Sequence, residues 1–393
     1  VSDAVPSSLV VLLASVLKPI DDTRMRGKFA ETLRQWPGTT VHIAGRQAPV
    51  PVPPPAGIRL HAIFSGTRTS LDRLAAQWRY GRLLWRLQPD VVMVHAPELL
   101  PLTLLWQRLK HGRKFIYDIR ENYALNVSTQ GVYQGQVQRW LAAGLRRVET
   151  WAARRASALL LAEASYAAEL PFLHELPPER VVILENKYQP APDEVLPTQP
   201  RPQPALHEPL QLLYSGTISE LNGVWEAVAL TRQLAATWPG GAHCTIIGFC
   251  QQPALLARLR AAVAQEPAIF TLTTGFQDVF PVPHADIVAT IGRSHLGLLP
   301  YRPHPSTERC RPTKLFEYLA HGLPVLIPAN PLWAELVQQY GAGLVVDFAA
   351  AAPAAASIAA VLPTTVFYPH GLPTEVLWAS EGKKLWHLLD SIF

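Results

Sequence analysis

The sequence predicts an α/β fold: two doubly wound, Rossmann-like domains in tandem, facing each other across a cleft. Three observations carry that expectation. Short apolar runs of β type alternate with longer segments of helical period along most of the chain. The alternation breaks off once, in a proline-rich stretch, and then resumes. At 393 residues the chain is also longer than a single hydrophobic core usually grows.

In the first half, strands are expected at Leu9–Leu17, Thr40–Ala44, Ile58–Phe64, Val91–His95, Phe115–Asp118, Leu159–Ala162 and Val181–Leu184. Between them, Lys28–Trp36, Asp72–Leu87, Leu99–Lys110, Val137–Ala156 and Ser165–Leu170 repeat apolar residues at three- and four-residue spacing, which lines up one face of a helix. Strand and helix in strict turn require a parallel sheet covered on both faces. This first domain spans residues 1–187. From 188 to 209, seven prolines (Pro190, Pro192, Pro197, Pro200, Pro202, Pro204, Pro209) make a stiff connector that cannot enter a sheet. A second domain, 210–371, follows, with strands expected at Leu210–Tyr214, Cys244–Ile247, Phe270–Thr273, Leu296–Leu299, Val325–Pro328 and Leu344–Val346. Thr374–Ile392 is helical again, and the segment 372–393 is expected to pack back onto the first domain.

Composition narrows the class without choosing a function. With 49% hydrophobic and 17% charged residues the chain is globular. A net charge of +5 and a pI near 9.1 suit an anionic ligand, but are too mild to single out nucleic acid from phosphate-bearing small molecules or anionic lipid. Cys244, Cys250 and Cys310 are odd in number and lack metal-ligand spacing, so they read as reduced thiols of a cytosolic protein. The longest apolar run, Leu9–Leu17, is about half of the roughly 20 residues a bilayer-spanning helix needs, and no basic segment precedes it as in a signal peptide. It reads as a buried strand.

Ligands of open parallel sheets bind beyond the carboxyl ends of the strands, so the loops after strands carry the candidates. In the second half the chain reads Ser294-His-Leu-Gly-Leu-Leu-Pro-Tyr301 and then Arg311-Pro-Thr-Lys-Leu-Phe-Glu-Tyr-Leu-Ala-His-Gly-Leu-Pro-Val-Leu326. That is a buried strand, a polar loop, a helix opened by Pro312 and Thr313 and closed by Gly322, and another buried strand. The helix start points backbone N–H groups and a partial positive charge into the loop, and Lys314 adds a full one; together they suit a diphosphate. Glu317 either complements the helix dipole or accepts hydrogen bonds from the ribose hydroxyls of a nucleotide. A capping box places its acid three residues after Ser or Thr, whereas Thr313 to Glu317 is four.

This stretch resembles the retaining glycosyltransferases of family 4, the group 1 class with the GT-B architecture, through a strand ending Leu-Pro-Tyr followed by Pro-x-Lys-x-x-Glu-Tyr-x-x-x-Gly-x-Pro-Val. Tyr214-Ser-Gly-Thr217 with Gly223 is similar to the family's first C-domain strand and glycine loop. Val94-His-Ala-Pro-Glu-Leu-Leu100 and Tyr117-Asp-Ile-Arg-Glu-Asn-Tyr123 are similar to its two N-domain strand ends facing the donor. The resemblance implies a nucleotide-diphosphate sugar bound by Gly216, Thr217, Asn222, Gly223, Tyr301, Arg309, Thr313, Lys314, Leu315 and Glu317. It implies catalytic roles for Arg120 and Glu121; His95, ending a strand, is either a structural histidine or a catalytic one, as a sugar contact or proton relay. The resemblance further implies transfer to a glycan, lipid-linked or small-molecule acceptor with retention of anomeric configuration, by a donor-phosphate oxygen taking the acceptor proton, and no nucleic-acid partner.

The departures are as specific. Where the family places an Arg after the glycine and a Lys before the second glycine, this chain has Thr217 and Asn222. The histidine of the family's Tyr-Asp-x-His-Glu segment is Arg120, and Arg309 stands where the first of its paired glutamates would be. Lys314, Arg309 and Arg120 are the available substitutes for the missing cationic contacts, each worth about 1.5 to 3 kcal/mol on phosphate. There is no Asp-x-Asp pair, so a metal-free cationic clamp is expected and no cofactor beyond the donor.

Three other features bear on function. The first β-α loop concentrates Asp22, Thr23 and Arg24 at a strand end, as a solvated loop or as an acceptor-side or donor-phosphate site. Arg139, Arg146, Arg147, Arg154 and Arg155 with Trp140 and Trp151 make the Val137–Ala156 helix basic and amphipathic, a solvated face or a contact for anionic membrane. A lipid-linked acceptor and a cytoplasmic location at the inner face of the cell membrane fit the second. The alternatives to transfer are a nucleotide-sugar 2-epimerase of the same architecture and a non-catalytic sugar-nucleotide-binding scaffold.

Overall fold

The structure, a computed structural model, describes residues 8–50, 53–67, 70–125, 135–278, 281–304 and 307–393. The chain forms two compact units, Val1–Gln189 together with Trp378–Phe393, and Pro190–Leu377.

The first unit is built on seven parallel strands: β1 (Leu9–Pro19), β2 (Thr39–Arg46), β3 (Ile58–Phe64), β4 (Val91–Val94), β5 (Lys114–Ile119), β6 (Ala158–Leu161) and β7 (Val181–Ile183). Their order is β3-β2-β1-β4-β5-β6-β7, with Leu13 of β1 set between Ile43 of β2 and Met93 of β4. The strands are apolar at nearly every position because both faces are covered. On one face α1 (Asp72–Leu87), α2 (Leu100–Arg108) and α3 (Gly135–Ala153) bring Tyr80, Leu84, Leu104 and Ala152 onto Leu12, Val92 and Phe115. On the other lie a π-helix, Thr23–Ala30, and the C-terminal helix Trp378–Ile392.

The π-helix departs from the expected start at Lys28. Asp22 caps it, its carboxylate accepting from the amides of Arg24 and Met25 at 3.1 and 3.0 Å, so the helix begins five residues sooner. Arg24, Met25, Lys28 and Phe29 all turn inward from it.

The C-terminal helix covers its face through Trp378, Leu385, Leu388 and Leu389. A fully enclosed carboxylate, Glu381, anchors it, receiving Lys187 Nζ at 2.7 Å, Lys384 Nζ at 3.0 Å and the Glu185 amide at 3.2 Å. The proline-rich stretch, expected as a stiff connector over 188–209, is divided between the units. From Pro190 it belongs to the second unit, where Arg201 donates to the carbonyls of Gly292 and Ser294 at 2.9 and 3.1 Å.

The second unit has six parallel strands, β8 (Leu210–Thr217), β9 (Ala242–Phe249), β10 (Phe270–Thr274), β11 (Leu296–Leu298), β12 (Val325–Ile327) and β13 (Gly343–Val345), in the order β10-β9-β8-β11-β12-β13. Its helices are α4 (Val224–Thr237), α5 (Pro253–Ala264), α6 (His284–Arg293), α7 (Thr313–Ala320), α8 (Pro331–Gln339) and α9 (Ala351–Val361). β8 runs three residues past its expected end because Ser215, Gly216 and Thr217 continue the ladder with Ile247, Gly248 and Phe249. A Cβ on Gly248 would overlap the Gly216 carbonyl, so two glycines let the strands close at that point.

Strand order reverses between β1 and β4 in the first sheet and between β8 and β11 in the second, and the carboxyl ends at those positions are where such sheets receive ligands. Leu389 is fully enclosed in the C-terminal helix. Leu389→Ala is therefore expected to destabilise the first unit by about 3 kcal/mol, the usual cost of such a cavity. In a denaturant titration the transition of the first unit should move while that of the second unit stays in place.

Candidate active site

In the first unit the loops after β1, β4 and β5 lie side by side at the reversal of strand order, and a buried ion network joins them. Asp118, next to last in β5, is fully enclosed. It accepts Arg24 Nε and Nη2 at 2.9 and 2.7 Å and His95 Nδ1 at 2.7 Å. Burial works to raise its carboxyl, but the charge of Arg24 and the hydrogen bonds hold it well below the usual carboxylate range.

His95 follows β4 and is 0% exposed. Burial lowers its pKa against the opposing pull of Asp118, so the ring is neutral at neutral pH. Because Asp118 is ionised, Nδ1 must carry the proton, which leaves Nε2 as an acceptor. That atom is enclosed and has no hydrogen-bond partner among the described residues.

Arg24 is 1% exposed, its guanidinium satisfied by Asp118 and, through Nη1, by the Leu184 carbonyl at 3.0 Å. It is a core cation, not the acceptor-side or phosphate contact expected of it. Arg120 likewise differs from its expected role as a substitute for a donor cation. Its guanidinium makes two bonds to Asp22, at 2.8 and 3.1 Å, and is neutralised there. Burial opposes ionisation of Asp22, yet the charge and hydrogen bonds of Arg120 keep its carboxyl below the ordinary range. Asp22 is thus committed twice, as helix cap and as ion-pair partner. Thr23 is exposed beside it, and Glu121 pairs with Lys18 at 3.0 Å.

In the second unit Ser215, Gly216, Asn222, Gly223, Tyr301, Lys314 and Glu317 come together at the carboxyl ends of β8 and β11. Gly223 has φ +77°, and a Cβ there would overlap the Pro300 carbonyl, so the glycine loop lies directly against the chain leaving β11. Asn222 closes the loop by donating its side-chain amide to the Thr217 carbonyl at 3.0 Å.

Lys314, in the first turn of α7, extends its ammonium over the positive-φ Gly216 and donates to the Ser215 carbonyl at 2.6 Å. The rings of Tyr214 and Tyr301 lie 5.1 and 5.3 Å from Nζ. Burial pushes the Lys314 pKa down to about 8 against the pull of Glu317. Among the described residues no carboxylate pairs with it.

No side chain caps the start of α7, whose N-cap is Pro312, and Thr313 is exposed there. Glu317 lies one turn further on and accepts His284 Nε2 at 2.5 Å. That hydrogen bond raises the His284 pKa, with burial opposing it. Leu315 corrects its expected place in the donor site: the side chain is in the core and the amide already donates to the Pro312 carbonyl at 2.9 Å. Arg309 is exposed on the turn before Arg311.

Four groups of these clusters carry no signal of their own in the sequence: Asp118, Ser215, Tyr318 and His284. Asp118 sits inside a recognisable segment but looks like any strand residue. Tyr318 donates to or accepts from Ser215 Oγ at 2.8 Å across 103 residues, and His284 is 33 residues from Glu317. Among the described residues there is no group of three or more His, Cys, Asp or Glu side chains able to hold a metal ion, and no helix long and apolar enough to cross a membrane.

Residues 25–187 match the family model of the glycosyl transferase 4-like domain. No curated protein matches the chain by sequence. Among solved structures, sucrose-phosphate synthase from Thermosynechococcus elongatus superposes with a TM-score of 0.64 at 14% identity, over 98% of this chain and 99% of that one. WaaG, a glycosyltransferase involved in lipopolysaccharide biosynthesis, gives 0.57 at 15% identity over 96% and 94%. The UDP-GlcNAc 2-epimerase of Neisseria meningitidis, in complex with UDP-GlcNAc, gives 0.55 at 11% identity over 97% and 99%. At such identities what is shared is the fold, the pair of Rossmann-like sheets known as GT-B.

A lysine whose folded pKa is depressed penalises the folded state while it is charged. The penalty is complete below about pH 8 and is lifted as pH rises from there toward the ordinary 10.5. Relative to Lys314→Met, the wild-type second unit should gain stability between those values, and at pH 7 the variant should be no less stable, as read by thermal unfolding at each pH.

Proposed function

We propose that this family 4-like glycosyltransferase of GT-B fold transfers a sugar from a nucleotide-diphosphate donor to an acceptor with retention of anomeric configuration, and that it does so without a metal ion. The observation that carries this reading is Lys314: a buried ammonium with no carboxylate partner among the described residues, at an uncapped helix start, above a glycine that leaves the approach open. Such a group lacks an anion, and a diphosphate brings one.

In this reading the diphosphate lies along Gly216 and the start of α7. There the free amides, the helix dipole and Lys314 stabilise the charge that grows as the glycosidic bond of the donor breaks. Thr217 and Asn222, where related enzymes place cations, contribute hydrogen bonds only, so Lys314 carries more of the charge, and Arg309 is near enough in sequence to add to it. Glu317 accepts the ribose hydroxyls, exchanging its bond to His284 for them. The sugar becomes oxocarbenium-like as the bond lengthens. A phosphate oxygen of the departing diphosphate takes the acceptor proton on the same face, so a protein base is not required and configuration is kept.

The carboxyl edge of the first sheet is the acceptor side. His95 acts there through Asp118 as a positioning group, because its ring is enclosed. Arg120, Glu121, Asp22 and Thr23 line the same edge. A glycan, lipid-linked or small-molecule acceptor fits this reading, as does a cytoplasmic enzyme working at the inner face of the membrane. A second reading, 2-epimerisation of a nucleotide sugar, has the shared fold in its favour. It would interconvert epimers of the donor with no acceptor present.

Lys314→Met and Glu317→Ala should each weaken nucleotide-sugar binding by about ten- to a hundredfold, the worth of one charged hydrogen bond. Wild-type affinity should fall as pH rises through about 8, where Lys314 loses its proton, and be flat there in Lys314→Met. Calorimetric titration measures both, and unchanged affinity in the two variants would remove the donor assignment. Retention is read from the anomeric couplings of the product by NMR, an inverted product being the contrary result.

A further inference from the structure

Helices α1, α2 and α3 lie next to one another over one face of the first sheet, and their outward sides are unusual. On α1 the inward stripe is Ala76, Tyr80, Leu83 and Leu84. The opposite stripe, spaced 74, 78, 81, 85, is apolar as well: Leu74, Trp78, Gly81 and Trp85. Trp78 is 65% and Trp85 63% exposed. Gly81 has open space over it, and Trp78, Gly81, Arg82, Trp85 and Arg86 of α1 line, with Leu102 of α2, an open groove of about 740 Å³. Leu105 on α2 and Leu109 just after it are exposed apolar residues as well, as are Trp140, Leu141 and Trp151 on α3.

Charge on the same helices is one-sided. α1, α2 and α3 contain eight arginines and two acids. Of the acids, Glu149 is enclosed and Asp72 is paired with Arg79. The excess of six exceeds the +5 of the whole chain. Several guanidinium groups lie over the indoles: Arg82 is 5.6 Å from the Trp78 ring, and Arg108 and Arg155 are 5.4 and 4.8 Å from that of Trp151. Indole beneath guanidinium is a layered arrangement, apolar rings at one depth and fixed positive charge beside them. A bilayer surface has the complementary layers, acyl carbon below anionic phosphate. A protein partner of ordinary composition would have to supply a matching row of carboxylates against exposed tryptophans.

We propose that this outer face of α1, α2 and α3 docks the chain on an anionic phospholipid bilayer, with Trp78 and Trp85 entering the headgroup boundary and Arg82 and Arg86 on the lipid phosphates. The proposal deepens the membrane part of the function above and rests on it only for the place of work, since the donor site lies in the other unit. It adds α1 and the groove beside α2 to α3, the helix to which the sequence alone pointed.

The test is sedimentation of the full chain with vesicles of phosphatidylcholine alone and with about 30% phosphatidylglycerol. Wild type should pellet with the second and not the first, and release as salt rises. Trp78→Gln with Trp85→Gln, and separately Arg82→Gln with Arg86→Gln, should each lower partitioning roughly tenfold or more. Because all four side chains are exposed, thermal unfolding and calorimetric nucleotide-sugar affinity should be unchanged in both. Wild type that ignores phosphatidylglycerol, or variants that pellet as wild type does, would overturn the proposal. So would a dimer in analytical ultracentrifugation that the tryptophan variant dissociates, which would make a second copy the occupant. Loss of nucleotide-sugar affinity in Glu317→Ala beside intact vesicle binding separates the donor reading from this one.

Discussion

A charge shut away from water must be met by fixed partners, and each unit of this chain holds such a charge at the carboxyl edge of its sheet. In the first unit it is Asp118, at the end of β5. Arg24 and His95 are both turned toward it, and that requirement shapes what surrounds it. The π-helix must place Arg24 inward, Asp22 must cap that helix, and Arg120 then closes on Asp22. The strand ends are thereby locked to one another with their charges cancelled in pairs.

The second unit meets the same demand incompletely. Lys314 has a carbonyl oxygen and two aromatic faces, which orient an ammonium without neutralising it. Its depressed pKa is the physical trace of that shortfall. The two edges are thus opposite in kind. One is electrically complete and acts through shape and hydrogen bonding, while the other retains a positive charge where a ligand's phosphates can balance it.

Much of this was legible in the residues, because both sheets are buried on two faces and so announce their strands as apolar runs. Ile58–Phe64 and Asp72–Leu87 fall where periodicity puts them. The punctuation of α7, Pro312 before and Gly322 after, located the cluster around Lys314 and Glu317. What stayed hidden depends on distant pairing. Arg24 and Arg120 read as available cations, because nothing local reveals that Asp118 and Asp22, about a hundred residues away, take them up. Leu315 lies within a legible motif, yet its side chain points to the core and its amide is spent within the turn. The bond from His284 to Glu317 is also a product of the fold, since it joins α6 to α7 across the strand β11 and the loop that separate them in the chain.

The placement of the helix Trp378–Ile392 has a consequence for biosynthesis. Met25, Phe29, Leu33 and Met93 need Trp378, Leu385 and Leu389 as their cover, and those residues come after the whole of Pro190–Leu377. At ribosomal speeds the intervening 188 residues take roughly 10 to 40 s to emerge. Throughout that interval only the π-helix covers that side of the nascent first sheet, so a chaperone able to shield the rest has its longest opportunity while the second unit is still being translated.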